Sequence, residues 1–340
     1  MPESEAPNPQ TVLQRAREGF FLTPAIYAAA KLNIADHLDA GLQRVTELAR
    51  AARVNEDALH RVLRLLASQG IFEETTAGTF RNTGTSELLR TGVPGSLRAQ
   101  FLFWGSEFCY PSFGEILYSI ETGEPSRTKL CGMDGFAYLR QNPELARVFD
   151  DAMAAMAEAV SPGIAAGYDF GRWESLMDVG GGNGMLLVNI LNAHPNLRGV
   201  LADQEHVLER ARQKGLLGGA LAARVAMTPC DFFREIPAGC QAYMMARVIH
   251  DWTDEQASII LSNCRSAIPP KGALLLVENA LGEMNRPSEG RYVDLAMLVL
   301  TGGRERSVEE YRTLLACSAF RLNQVFATRT NYLVLEAFPS

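Results

Sequence analysis

Asp178-Val179-Gly180-Gly181-Gly182-Asn183-Gly184 is the stretch on which the reading of this chain turns. An apolar run bounded by glycine, Ser175–Val179, precedes it, and an apolar segment of helical character, Gly184–Ala193, follows. The spacing predicts a strand, a tight turn and a helix. Glycines at such a turn permit positive φ and let a ligand approach the backbone closely. A nicotinamide or flavin dinucleotide would use the same topology, but its fingerprint is G-x-G-x-x-G, whereas the spacing here is G-x-G-x-G. A dinucleotide also needs a helix N-terminus that faces its pyrophosphate unopposed. Asp178, at the mouth of the turn, would repel that anion. A ligand that carries an ammonium group and a sulfonium, and no phosphate, suits an acidic residue there, so S-adenosylmethionine is the favoured ligand. A dinucleotide and a purely structural turn stay open at this point.

Outward from the turn the chain alternates strand and helix. Arg198–Ala202, Arg224–Met227, Ala242–Ile249, Ala273–Val277, Leu322–Phe326 and Tyr332–Ala337 read as strands. Glu205–Lys214, Asp254–Ile268 and Ser307–Ser318 read as the helices among them. This alternation predicts an α/β fold, a Rossmann-like, doubly wound and mostly parallel sheet, with ligands at the carboxyl ends of its strands. Asp203 closes the second strand, where a carboxylate can accept hydrogen bonds from both ribose hydroxyls; capping the next helix is its other reading. After the third strand, Asp231 and Phe232 could hold an adenine by hydrogen bonding and stacking, or be a solvated aspartate and a core phenylalanine.

His250 follows the apolar run Ala242–Ile249, and this places an imidazole at the ligand edge of the sheet. Imidazole titrates near neutrality and can take a proton from a hydroxyl. Methyl transfer to oxygen needs that step, because a neutral phenol is a poor nucleophile, and it needs oxygen, carbon and sulfur in line at ~3–3.5 Å. Glu278 ends the next strand. Glu305 lies in Gly302-Gly303-Arg304-Glu305-Arg306-Ser307, before a helix that Ser307 could cap. Either carboxylate could orient His250 and stabilise its imidazolium. A strand-end surface charge for Glu278, and a charge complementing the helix dipole for Glu305, are the plainer readings.

The first third reads as helices: Phe20–His37, then Val45–Ala49 with Thr46 as a possible cap, then a longer helix opened by Val54-Asn55-Glu56. In that helix Leu59, Val62, Leu63 and Leu66 repeat at helical spacing and Gly70 ends the run. Ile71–Glu74 and Thr79–Arg81 form a hairpin across Ala77-Gly78. Helices followed by a small hairpin make a winged helix-turn-helix. Residues from about 100 to 166 read as further, aromatic-rich helices.

The bulk numbers narrow the function. A length of 340 residues suits two domains, and 47% hydrophobic with 21% charged residues is ordinary for a soluble globular protein. The net charge of −7 favours neither nucleic acid nor an acidic membrane. Arg44, Arg50, Arg53, Arg61 and Arg64 would be the basic face of a DNA-binding regulator, but Glu47, Glu56 and Asp57 offset them. No apolar run approaches the ~18–20 residues of a membrane span; Leu295–Leu300 is the longest. The acidic start, residues 1–5, is expected not to be a secretory signal. Six cysteines without a C-x-x-C pair read as free thiols in a reducing compartment, so a cytoplasmic location is expected. The five histidines lack ligand spacing, and no metal is expected.

Taken in order, Asp178–Gly184, Asp203, Cys230-Asp231-Phe232-Phe233, His250-Asp251-Trp252-Thr253-Asp254-Glu255, Glu278 and Gly302–Arg306 resemble the two-domain S-adenosylmethionine-dependent O-methyltransferases. That family includes plant caffeate-type enzymes, acetylserotonin methyltransferase and bacterial natural-product tailoring enzymes, and the resemblance spans nearly the whole chain. It implies a class I methyltransferase sheet behind a mainly helical winged-helix dimerisation domain, divided as residues 1–105 and 106–340, with a helical linker at 106–166 and the sheet core at 167–340. It implies a homodimer through the N-terminal domain, with a partner's N-terminus reaching toward the active site. His250 would be the general base, flanked by Glu278 and Glu305. Asp178, Gly180, Gly182, Asp203, Gln204, Asp231 and Phe232 would hold the cofactor. Plant members carry a lysine four residues before the histidine; Ala246 stands there here, and the neighbouring Arg247 is the expected substitute. Phe149, Met153, Asp251 and Met297 are substrate-contact candidates by position only, equally suited to filling a core. The implied substrate is a small aromatic or polyketide-like molecule, with neither nucleic acid nor membrane as partner. N- or C-methylation, or non-methylating tailoring chemistry on the same fold, is the alternative.

Overall fold

The computed structural model describes residues 8–279 and 281–340; the acidic segment 1–5 lies outside them. Two compact units emerge. The first comprises residues up to Pro111 together with Pro143–Ala155, and the second Ser112–Asn142 with Met156–Ser340. The stretch expected as a helical linker is thus shared between them.

The first unit opens with the helix Pro9–Lys31, earlier than the apolar pattern implies. Asn8 caps it by accepting from the Gln10 amide at 2.9 Å, and Pro9 stands where a missing N–H costs nothing. The single helix expected over 20–37 is two, because Asn33 adopts φ 54 and a second helix, Ile34–Asp39, starts after it. Thr46 is not the cap of the helix Val45–Ala52. Arg44 occupies that position, and the Glu47 carboxylate reaches back to its amide at 3.0 Å. The helix Glu56–Ser68 is capped by Asn55 as its sequence suggests, and the hairpin of β1 (Phe72–Thr76) and β2 (Thr79–Asn82) follows. Leu48, Leu63, Leu66, Phe72 and Phe80 form the centre of this unit's core.

The second unit is built on seven strands: β3 (Ser175–Val179), β4 (Arg198–Asp203), β5 (Val225–Pro229), β6 (Ala242–Ala246), β7 (Ala273–Asn279), β8 (Phe320–Ala327) and β9 (Tyr332–Pro339). Their order is β5-β4-β3-β6-β7-β9-β8, parallel except where β9 pairs with β7 and β8. The chain winds outward from β3 to β5, then returns across β3 to β6 and β7. The reversal falls between β3 and β6, where Asp178 lies opposite Met244. In doubly wound sheets the ligand crevice opens at that reversal, beyond the strands' carboxyl ends.

Burial on both faces explains the near-continuous apolar strands. Along β7, Leu274 and Leu276 join one core cluster while Leu275 and Val277 join the other, the two-residue alternation of a strand. One boundary departs from expectation. β6 stops at Ala246 instead of running to Ile249, because Arg247 takes φ 55 and the chain leaves the sheet. Val248 and Ile249 stay buried in the core, so their apolar character reflects packing and not strand pairing.

Candidate active site

The turn after β3 has the backbone its glycines require. Gly180 and Gly182 adopt φ of 71 and 61, and a Cβ on Gly180 would lie 2.9 Å from Val248 Cγ2 and 3.6 Å from Phe232 Cε1. The turn, Phe232 and the segment after β6 are therefore in contact. Asp203, at the end of β4, accepts from the Gly182 amide at 2.9 Å and from the Gln204 amide at 2.7 Å. Burial raises its pKa against the lowering effect of those two amides.

Asp178 stands in the expected strand with its carboxylate against Gly181 of the turn, but it is closed off from solvent. It is inside β3 and 1% exposed, because β4 and β6 flank it and the glycine turn folds over its carboxylate. Neither of its oxygens has a hydrogen-bond partner among the described residues. Burial, with the charge of Asp203 second, pushes its pKa to about 7. Asp231 is more exposed than its expected role suggests. Its Oδ1 accepts from the Phe233 amide at 3.1 Å and its Oδ2 lies 3.5 Å from Arg234. Phe232 and Phe233 pack on Trp252, with ring centroids 6.0 and 4.7 Å from it.

His250 sits on the single 3₁₀ turn Ile249–Asp251 beyond β6, and it is buried. Its Nδ1 is 2.7 Å from Glu305 Oε1. Glu305 itself is 1% exposed, and its amide donates to Asp294 Oδ1 at 2.9 Å. The two glutamates have different tasks. Glu305 meets the imidazole, whereas Glu278 Oε1 accepts from the Ile249 amide at 3.0 Å and so holds the backbone that carries it. Ligand atoms of His250, Glu278 and Glu305 lie within 4.8 Å of one another. Asp251 Oδ1 is 3.8 Å from His250 Nε2.

This packing moves the imidazole away from neutrality. Burial pulls its pKa down, but the charge of Asp251, the hydrogen bond to Glu305 and the charges of Glu278 and Glu305 outweigh it and raise it to about 9. Glu278, buried beside another carboxylate, is pushed up to about 8, chiefly by desolvation and against the pull of His250. The expectation of a base titrating near neutrality is corrected on this point: the surrounding carboxylates hold the proton more firmly.

Two segments converge to make this geometry. The loop 302–306 lies on the turn 249–252: the Arg304 amide donates to the His250 carbonyl at 2.8 Å. A Cβ on Gly303 would come within 2.1 Å of that carbonyl oxygen, so only glycine fits. Sequence reading missed Asp294 and Arg306. Both are ordinary charged residues in their segments, and no local signal marks either one.

The remaining candidates divide. Arg247 leaves the sheet with its amide donating to Val277 O at 2.9 Å, and its Nη1 lies 4.0 Å from Met156 Sδ. Met297 is buried, and its Sδ accepts a 3.6 Å contact from Thr301 Oγ1. Phe149 and Met153 belong to the first unit, where the Phe149 ring meets Phe103 edge-on at 5.5 Å.

Comparison with known proteins identifies the family. Residues 116–321 match the O-methyltransferase domain, more than half of the chain, and residues 15–92 match the O-methyltransferase dimerisation domain. The chain belongs to the S-adenosylmethionine-dependent O-methyltransferase family, with the class I methyltransferase fold and a helical N-terminal dimerisation domain. It is 38% identical over 329 residues to phenazine O-methyltransferase PhzM of Lysobacter antibioticus, covering 97% of this chain and 96% of that protein. It is 33% identical over 310 residues to phenazine-1-carboxylate N-methyltransferase of Pseudomonas aeruginosa, covering 90% of each. Its fold is similar to that of NcsB1, an O-methyltransferase from neocarzinostatin biosynthesis solved with S-adenosylmethionine and 2-hydroxy-5-methyl naphthoic acid. That structure has a TM-score of 0.84 at 32% identity, covering 94% of this chain and 96% of that one.

The cofactor of this family is S-adenosylmethionine, and the residues of the turn fit it. Buried carboxylate oxygens without partners at Asp178, the glycine turn above them, and the Asp203 carboxylate at the end of β4 form an acidic cradle. A cationic amino acid moiety with a ribose would satisfy it, and a pyrophosphate would not.

Among the described residues no helix is long and apolar enough to cross a membrane.

Proposed function

We propose that this enzyme transfers a methyl group to a phenolic hydroxyl of a small aromatic natural-product molecule, with His250 as the general base. One observation carries the reading: a buried imidazole 2.7 Å from a buried carboxylate, on the segment that leaves β6 beside the glycine turn of β3. Nδ1 donates to Glu305, and this fixes the tautomer in which Nε2 is free to accept a proton. The hydroxyl gives its proton to Nε2 as it becomes a nucleophile; Glu305 then stabilises the imidazolium. Glu278 keeps the turn in place through the Ile249 amide. Asp203 and Gln204 hold the ribose end of the cofactor, Asp231 and Phe232 its adenine, and Asp178, Gly180 and Gly182 its methionyl end, with Arg247 in the place of the family's lysine. When bound, S-adenosylmethionine supplies a methyl carbon activated by its sulfonium. Asp251 and Met297 are the proposed substrate contacts in the second unit, and the enzyme acts as a homodimer in the cytoplasm. Phe20 and Phe21, 65% and 54% exposed within the matched dimerisation segment, support the dimer.

The N-methyltransferase relative supports a second reading, in which the acceptor is a ring nitrogen or an amine. Incubation with isotopically labelled donor and matched panels of hydroxyarenes and azaarenes, followed by mass and NMR analysis of the product, separates the two. Label on nitrogen alone would overturn the hydroxyl reading.

A further inference from the structure

Arg306 is a charged side chain in the wrong place for ordinary surface chemistry. It is 2% exposed and lies one residue past Glu305. Its guanidinium makes five hydrogen bonds, four of which run back to the segment carrying His250 and one to its own loop. Nη1 donates to the Ile249 carbonyl at 3.2 Å and to the Arg304 carbonyl at 3.3 Å. Nη2 donates to the Trp252 carbonyl at 2.9 Å. Nη2 and Nε both reach Asp254 Oδ1, at 2.7 and 2.9 Å. The face of Tyr311 closes the other side, 5.9 Å away.

The carbonyls it holds bracket the imidazole: residue 249 before it and 252 after it. The carbonyl of His250 is taken by the neighbouring Arg304 amide. Loop 304–306 thus holds three of the four carbonyls in 249–252, and that same loop presents Glu305. Stability alone is a poor reason for this arrangement. Burying a guanidinium is costly, and its one carboxylate partner, Asp254, is 56% exposed at the side chain, so most of the compensation comes from neutral carbonyls. What a planar, five-donor fork supplies is geometry, since it fixes several acceptors in one plane at once.

We infer that Arg306 is a positioning residue for catalysis, which locks the turn bearing His250 to the loop bearing Glu305 and so sets the separation and orientation of the pair. The inference rests on the reading of that pair as the catalytic base and its partner. Lysine at this position keeps the charge but, as a compact ammonium, cannot span the same acceptors.

The test compares wild type, Arg306→Lys, Asp254→Asn and His250→Ala as full-length enzymes, by kcat, KM for each substrate, donor affinity by calorimetry, thermal melting, and the pH profile of kcat/KM. For Arg306→Lys the expected result is a kcat lowered roughly 10- to 100-fold, as misplacement of a catalytic group by an ångström would give. Donor affinity stays unchanged, and the midpoint of the pH profile moves down because a looser Glu305 supports the imidazolium less. Asp254→Asn, at a half-exposed side chain, moves kcat and midpoint in the same direction by less. An Arg306→Lys enzyme with wild-type kcat and an unmoved pH midpoint overturns the inference. So does a loss of activity matched by equal losses of donor affinity and melting temperature at an unmoved midpoint. Full activity in His250→Ala would remove the base itself, and the positioning role with it; an inactive His250→Ala beside a wild-type-like Arg306→Lys removes only the positioning role.

Discussion

Replacing Glu305 with glutamine offers the most direct probe of the site, because it keeps the shape of the His250 partner and removes its charge. In the native structure the imidazole is raised from 6.5 to about 9, a bias toward imidazolium of roughly 3 kcal/mol. Only the neutral form can act as base. With that pKa, on the order of one molecule in a hundred carries neutral imidazole at pH 7. For wild type, kcat/KM should therefore climb about tenfold per pH unit between pH 6 and 8 and level off near pH 9, since this parameter reports the free enzyme. Glutamine at 305 leaves an acceptor for Nδ1–H but deletes both the charge-assisted part of the 2.7 Å bond and the Coulomb contribution. Asp251 and Glu278 remain, so the midpoint should fall by about one to two pH units toward the unperturbed value near 6.5. The assay is initial-rate transfer of labelled methyl to a hydroxyarene whose own hydroxyl titrates above the range scanned, run in buffers of matched ionic strength. A wild-type profile flat from pH 6 to 9 would refute the base assignment. A glutamine variant that keeps the wild-type midpoint would refute the claim that Glu305 sets the basicity of His250.

His250→Ala should lower kcat by about 10²- to 10⁴-fold, the usual worth of a positioned general base, with donor affinity unchanged by calorimetry. Asp203→Ala should act the other way round. The loss of hydrogen bonds to a charged acceptor, each about 1.5–3 kcal/mol, should weaken donor binding roughly 10- to 100-fold or more while kcat at saturation changes little, and unaltered affinity would remove the ribose role. Stability without donor should fall as pH rises. The folded values are about 7 for Asp178 against 3.8, about 8 for Glu278 against 4.5 and about 9 for His250 against 6.5, so the native state keeps protons that the unfolded chain releases. The stabilisation present below the lower values is lost progressively up to about pH 9. Scanning fluorimetry from pH 6 to 9 should show a falling melting temperature, and a rising one would contradict these assignments.

What the sequence disclosed, and what it hid, follows from how local each feature is. The glycine turn was legible because its backbone is dictated by residues next to one another, and the sheet because β-α alternation is periodic. Asp203 falls at the end of β4, as the local pattern implies. The end of β6 was hidden, since Val248 and Ile249 look like more strand; only the left-handed backbone of Arg247 ends it, and an arginine gives no notice of that. Asp178 was placed in its strand by the same reading, but its burial was hidden, because lying between β4 and β6 is a property of strand order and not of the motif. The start of the first helix was missed because Val12 and Leu13 face outward and blur the periodicity. The partition between Glu278 and Glu305 depends on two segments 27 residues apart in the chain meeting the same turn, and no spacing rule encodes it.

The raised basicity of His250 also bears on which atom receives the methyl group. A neutral arylamine or ring nitrogen attacks with a lone pair it already has, and an amine sheds its proton only after the bond forms, when the product is strongly acidic and water suffices as acceptor. A hydroxyl attacks well only as its proton departs, so the base must match the acidity of an arenol, close to 10. The neighbouring carboxylates of Asp251, Glu305 and Glu278, which hold the imidazole near 9, supply that match, at the cost of keeping a charged cluster out of water. The steepness of the pH profile on a hydroxyarene, set beside its flatness on an azaarene of similar shape, is therefore a test of chemistry as well as of basicity. Comparable slopes on both acceptors would mean that His250 serves some step other than removal of the hydroxyl proton.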